Sequence, residues 1–416
     1  MTYYYDNAYE ERRQVALRSP LGEELEGIFA SIPYKELLNA ILLERTRAFS
    51  PLGRLGYPLE PLLKGIVASH YLGVKSTSAI VRRLQEDEIL ALICGFDPDD
   101  IPHYKAFCRF IKKLRRFQHL LDACLNQTTT ELKGFLPGFG EVVAVDSTPV
   151  RSHSNPNKKP ISDPQAGWIP KETGGEREEW HFGYKLHLIT CVEHKLPVYK
   201  KLTMADVQDV EFLLPPLKEA REVFRWFNPS AIISDRGYDS HDNFKGVVED
   251  LQADPIIGLI AKGGGDVLEI SGTPAAPVCA AGLPLIYRGW DKDRGLKYQC
   301  PEVARKAYCP MPLKCDLGNP KRTLWVQPVH DYRRFGWRIK RGTDEWKALY
   351  RKRVPAVEHV NSRLKETRRL EAHCFRTFDK INTHTTLSVL VMQAAALAKA
   401  KAGRMDELRV CVRPVS

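Results

Sequence analysis

No Cys-x-x-Cys pair occurs anywhere in the 416 residues, so the ten cysteines match no strong zinc spacing. Scattered through a chain of this size, they also do not form a disulfide framework and read as thiols of a reducing cytoplasm. No G-x-x-x-x-G-K-[ST] stretch is present, which removes P-loop nucleotide chemistry. No apolar run approaches a membrane span. The most apolar segment, "LSVLVMQAAALAKAKA", is too short to cross and reads as a core helix. The opening "MTYYYDNAYEERRQ" lacks the apolar stretch of a signal peptide, and the expected location is the cytoplasm with no membrane contact. Internal repeats and long low-complexity tracts are absent as well. Acidic residues are in deficit: 51 Asp+Glu stand against 62 Lys+Arg, for a formal charge of +11. An excess of that size favours polyanionic partners such as nucleic acid.

What remains is an ordinary globular composition, 43% hydrophobic and 27% charged, in a chain long enough for two or three domains. Residues 1–135 carry helical spacing. "PLEPLLKGIVASHYLGVKSTSAIVRRLQEDEILALICGF" suggests two helices with Ser76 or Thr77 as a cap between them. A basic stripe follows at Arg109, Lys112, Lys113, Arg115 and Arg116, which fits a DNA-binding helical module or a solvated bundle face equally well.

From about residue 138 the texture becomes strand-like in "GEVVAVDSTPV", "HFGYKLHLITCV", "LPVYKKLTMA" and "PSAIISDRGYDS". A polar loop holding Arg151, His153, Lys158 and Lys159 separates the first two. "DVEFLLPPLKEAREVFRWF" reads as a helix crossing to the fourth strand, with Pro215 and Pro216 near its start. "AKGGGD" marks a boundary near residue 262. An irregular Gly-, Pro- and Cys-containing segment then runs to about 343, helical texture returns over 344–400, and 401–416 is a tail.

Two aspartates sit in the same kind of place. Asp146 ends the apolar run Val142–Val145, and Asp235 follows Ala231–Ile233 and Ser234. Open α/β sheets carry ligand chemistry at the carboxyl ends of strands, although Asp also opens ordinary turns there. A third acid, Glu358, lies in "VPAVEHVNSRLKE". There Val357, Val360 and Leu364 face a core while Glu358, Asn361, Ser362 and Lys365 form one polar stripe.

In this order the stretches resemble a DDE-type transposase of bacterial insertion sequences. That resemblance implies an α/β fold: an RNase H-like catalytic core, an all-α N-terminal domain that binds DNA, and an irregular insertion before the last catalytic helix. "AVDSTPV" is similar to the family's first-Asp strand, "ISDRGYDS" to its second, and "VEHVNSRLKE" to its Glu helix. By this resemblance Asp146, Asp235 and Glu358 are the catalytic acids and ligands of two Mg²⁺ or Mn²⁺ ions. Lys365, Arg353, Tyr350, Arg236 and Lys185 are then contacts to DNA. Tyr350 and Arg353 each lie one residue farther upstream of Glu358 than the family spacing, with Pro355 in the gap, and Gln208 stands where His is frequent. The implied partners are double-stranded element ends and target DNA, handled by a homodimer or larger synaptic assembly. A metal nuclease without strand transfer and an inactive DNA-binding repressor are the alternatives. Trp290, Trp325 and Trp337 could stack on unpaired bases or build a small core. Cys279, Cys300, Cys309 and Cys315 could hold a structural Zn²⁺, with buried free thiols as the default.

Overall fold

The computed structural model describes residues 7–47, 56–171, 179–260, 269–270, 277–279, 281–291, 294–310, 315, 317, 321–326 and 332–410. The boundary expected at "AKGGGD" lies outside them. The chain forms two compact units. The first comprises 1–139, 147–207 and 356–416, and the second comprises 140–146 and 208–355.

The first unit begins with helices α1 (Asn7–Leu17), α2 (Pro20–Ala30), α3 (Lys35–Arg47), α4 (Leu59–Tyr71), α5 (Thr77–Glu86), α6 (Glu88–Cys94), α7 (Tyr104–Arg116) and α8 (Gln118–Phe135). Of the two residues expected as a cap, Ser76 takes the role and Thr77 begins the helix: the Ser76 hydroxyl accepts from Ala79 N at 3.1 Å. Strand β1 (Val142–Arg151), whose residues up to 146 belong to the second unit, follows, then β2 (Gly167–Lys171), β3 (Glu179–Cys191) and β4 (Leu196–Met204). β3 pairs antiparallel with both β2 and β4. β2 was not legible in the polar loop. A buried carboxylate fixes the start of that loop: Asp163 accepts from Ser152 Oγ (2.6 Å), Tyr184 Oη (2.7 Å) and Thr377 N (2.7 Å). Gly183 is required where β3 meets the end of β1, because a Cβ there would lie 2.1 Å from Val150 O.

The second unit holds α9 (Leu214–Val223), β5 (Ala231–Ser234), α10 (His241–Glu249) and β6 (Asp254–Ile257). Pro215 and Pro216 lie in the first turn of α9, where a missing N–H costs nothing. β5 runs parallel to β1 and β6 parallel to β5. Strand order is β2-β3-β1-β5-β6, with β4 also on β3, so an antiparallel half and a parallel half meet at β1. This is the RNase H-like order. β7 (Glu269–Ile270) and β8 (Pro277–Val278) form a short pair, and β9 (Ile286–Asp291), β10 (Gly295–Gln299) and β11 (Thr323–Val326) form a small antiparallel sheet. The segment read as irregular therefore has its own sheet and a small core, including Leu285, Leu324 and Val326. Helices α11 (Tyr332–Phe335) and α12 (Asp344–Arg351) complete the unit, and α13 (Arg353–Ser362) leads back into the first.

The last helix, α14 (Phe378–Lys401), is the core helix expected from its apolar run. It packs against α2, α4, α8 and β4, and is buried on nearly every face. Its polar residues are bonded within the packing: Thr383 Oγ1 donates to Gln118 Oε1 (2.6 Å), and Gln118 Nε2 donates to Thr386 Oγ1 (3.0 Å). Leaving such a group unpaired would cost about 1–3 kcal/mol.

Two arginines of the "TRRL" stretch also turn inward. Arg368 donates to Tyr71 O (2.9 Å) and Arg369 to Ser69 Oγ (2.7 Å), setting two cations at the C-terminal end of α4. Beside them lie His70, His373 and His384. The outer nitrogens of His70 and His384 bond Ile66 O and Arg369 O, and their inner nitrogens face each other at 3.3 Å. Two neutral rings carry only two protons for these three contacts. Burial next to the arginines nevertheless keeps them neutral. It pushes His70 down to about 3 and His373 to about 4, and holds His384 well below its ordinary value.

Unfolding releases all three to their ordinary value of about 6.5, so the unfolded chain takes up protons that the native chain refuses. Native stability should be at its full value above about pH 6.5 and fall as pH drops toward 4, by up to ~1.4 kcal/mol per pH unit for each histidine. Urea midpoints at pH 7.5, 6 and 5 measure this; a midpoint rising on acidification would contradict the arrangement.

Candidate active site

Apolar β-branched residues make β1 and β5 buried strands; Asp146 follows the apolar run within β1, which continues to Arg151, and Asp235 follows the last residue of β5. The pairing fixes how the two runs meet. Val142 lies beside Ala231, Val143 beside Ile232 and Ala144 beside Ile233, a constant offset of 231 − 142 = 89. Asp146 and Asp235 are separated by the same offset, 235 − 146 = 89. Continued two residues beyond Ala144 and Ile233, that register would set Asp146, within β1, level with Asp235, just past the end of β5. Both residues are half-buried.

The backbone after Asp235 is held from several sides. Asp235 Oδ1 accepts from Gly237 N at 2.8 Å, which is the turn role open to any strand-end Asp. Two residues after Gly237, buried Asp239 takes a bidentate bond from Arg333 (2.7 Å to each oxygen) and a third from Ile260 N (2.9 Å). Asp254, at the start of β6, accepts from Arg338 Nε and Ile339 N. Arg341 donates to Ile257 O at the other end of that strand. Arg333, Arg338 and Arg341 thus clamp the segment before α12 onto the parallel strands.

Tyr350 lies on α12, stacked on Trp346 with ring centroids 5.0 Å apart, and Arg341 covers Trp346 at 4.7 Å. The helix packs on β5 and β6. A Cβ at Gly258 would come 2.4 Å from Tyr350 Oη and 2.9 Å from Arg236 N, so glycine is needed for this approach. Tyr350 therefore reaches the turn that carries Asp235, and Arg236 is exposed in that turn. Arg353 begins α13, with a buried Nε that has no hydrogen-bond partner among the described residues.

In the first unit, Glu358 is exposed on α13. Lys365 lies in a π-helical turn over Arg363–Thr367 and pairs with Glu371 at 3.1 Å. Lys185, on β3, donates to Val207 O at 2.8 Å. Among the described residues no group of three or more His, Cys, Asp or Glu stands close enough to hold a metal ion. Cys279 and Cys300 belong to the apolar cluster of the small sheet, Cys315 packs against it, and Cys309 is buried. Among the described residues they form no group close enough to hold a metal ion. Trp325 lies under Arg294 and Lys297, and Trp337 under Arg338. The side chain of Trp290 is outside the described residues.

The Gly258 contact yields a direct test. Gly258→Ala should destabilise the protein by about 1–3 kcal/mol and displace the Asp235 turn. Gly134→Ala, with nothing within 4 Å of its Cβ, should be neutral or stabilising. Thermal melts of both variants check this, and an unperturbed Gly258→Ala would contradict the close approach.

Residues 137–306 and 278–398 match two family profiles, each described as a transposase DDE domain, and residues 15–113 match a transposase domain (DUF772). No curated protein matches the chain. A solved structure, the piggyBac transposase synaptic complex with hairpin DNA, is similar at 12% identity with a TM-score of 0.44, covering 98% of this chain and 80% of that one. No helix among the described residues is long and apolar enough to cross a membrane. With its catalytic region matched from 137 to 398 and a transposase domain matched ahead of it, the chain belongs to the DDE transposases of the insertion-sequence type and is a DNA transposase.

Proposed function

We propose that Asp146, Asp235 and Glu358 act together as ligands of two Mg²⁺ or Mn²⁺ ions. With them the enzyme nicks DNA at element ends and joins the freed 3′-OH to target DNA by in-line attack. The observation that carries the reading is the shared offset of 89 between the strand register and the two aspartates. Two carboxylates held level on neighbouring strands repel each other strongly unless a cation lies between them. The donor set consists of oxygen alone, which suits a hard divalent ion. Such ions, when bound, supply activation of water or a 3′-OH and relief of charge at the leaving oxygen.

The chain's own contribution is position. The turn bond to Gly237 N and the Asp239–Arg333 clamp fix the backbone around Asp235, so its carboxylate is preorganised. Exposed Arg236, next to it, is available to a phosphate of the bound strand. Lys365 would have to exchange Glu371 for a DNA phosphate to act there. No nucleotide cofactor and no covalent protein–DNA intermediate is needed. A homodimer or larger assembly pairs the two element ends.

Asp146→Asn should abolish metal-dependent nicking, by at least a thousandfold, while end binding and melting temperature stay close to those of the parent. Unfolding or loss of DNA binding in this variant would make Asp146 a structural turn residue. Asp146→Cys exchanges a hard ligand for a soft one. It should be inactive in Mg²⁺ and recover part of its cleavage in Mn²⁺, whereas Asp146→Ala stays inactive in both. Full Mg²⁺ activity of the Ala variant on pre-cut ends would defeat the assignment.

A further inference from the structure

The basic stripe of α7 divides into two halves with different surroundings. Lys113 and Arg116 are paired with Glu44 of α3. Lys112 and Arg115 point elsewhere and line a cleft of about 580 Å³ in the first unit. The opposite wall is the stretch entering α14, which brings Arg376 and Lys380, and Thr77 adds the first turn of α5. Four cations thus face one cavity, and among the described residues no carboxylate lines it. Lys112, Arg115 and Lys380 make no ion pair among the described residues. Arg376 is already oriented, its Nε donating to His153 O at 2.9 Å. Residues about 270 apart in sequence are assembled here, so no local stretch of the chain reveals the cleft.

We infer that this cleft seats the sugar-phosphate backbone of one strand of duplex DNA, an inference that rests on the transposase reading. Four uncompensated cations around a concave wall concentrate negative potential sources, and phosphodiesters are the polyanion a transposase handles. The volume is that of a small-molecule pocket, so it takes a short backbone segment, not the whole duplex. Ile111 and the ring of Phe375 in the same wall give a sugar an apolar surface. Lysines and arginines that meet only phosphates carry no sequence information, so the cleft positions DNA without reading it.

Two native probes are in place. Cys108 and Cys374 both line the cleft and are exposed, whereas Cys94, Cys124, Cys191, Cys279, Cys300 and Cys309 are buried. The experiment measures maleimide labelling of the full chain by peptide mass, without DNA and with a duplex of the element end or a scrambled duplex of equal length. Labelling of both thiols should slow at least fivefold with either duplex at low salt, and recover at high salt. In parallel, Lys112→Ala combined with Lys380→Ala should leave the melting temperature unchanged, since both side chains are exposed. It should make the slope of log K against log[salt] shallower by about 1.8, or ~0.9 for each lost phosphate contact. Gel retention of the duplex with unchanged labelling, or an unchanged slope in the double variant, would overturn the cleft assignment alone. A parent chain that retains no duplex at all would overturn the transposase reading with it.

Discussion

The parallel hydrogen bonding of β1 to β5 is the constraint on which the catalytic reading depends. A one-residue slip would turn Asp146 to the opposite face of the sheet from its neighbour, because side chains alternate with period two. The slip is prevented by burial: Val143, Ala144 and Val145 on one strand and Ala231, Ile232 and Ile233 on the other are all inaccessible to solvent. Hydrophobic packing of the strands therefore fixes the register that leads to the two acids. Each carboxylate follows its apolar run: Asp146 within β1, which goes on to buried Thr148 and Val150, and Asp235 after the last residue of β5.

The charges of this protein serve two purposes that composition cannot separate. Arg333, Arg338 and Arg341 hold their own fold together through buried Asp239, Asp254 and the end of β6. Arg368 and Arg369 are buried against the end of α4, with Arg368 covering the Tyr71 ring at 4.9 Å. Buried cations of this kind are held by several acceptors each, since an unpaired one would be strongly destabilising. The net charge of +11 thus overstates the number of cations available to DNA. Those left without acids among the described residues, such as Lys112 and Lys380, are the more informative.

Much of this was legible in the sequence wherever a single local rule dominated. Apolar β-branched runs ending in Asp gave β1 and β5, the Ser76 cap gave the start of α5, and the long apolar stretch gave α14. β6 was missed because "DPII" is only four residues long and begins with a charged residue whose partner, Arg338, is 84 positions away. β2 was missed because its polar surroundings read as loop, and Asp163 because its three donors come from Ser152, Tyr184 and Thr377. The inward turn of the arginines was hidden for the same reason: each partner is distant in sequence. Tyr350 and Gly258 form a case in between, where the motif named the tyrosine and only the packing named the glycine it needs.

The central claim is that Asp146 and Asp235 share a cation, and a double-mutant cycle on Mn²⁺ affinity tests it most directly. Mn²⁺ binding would be titrated for the parent, Asp146→Asn, Asp235→Asn and the double variant, all without DNA. Shared ligation predicts that either single change removes most of the binding, so that the double variant is scarcely weaker than the weaker single. The coupling should then lie well beyond the ~0.5 kcal/mol within which independent sites add. Additive losses, or Mn²⁺ affinity untouched by both substitutions, would contradict the account.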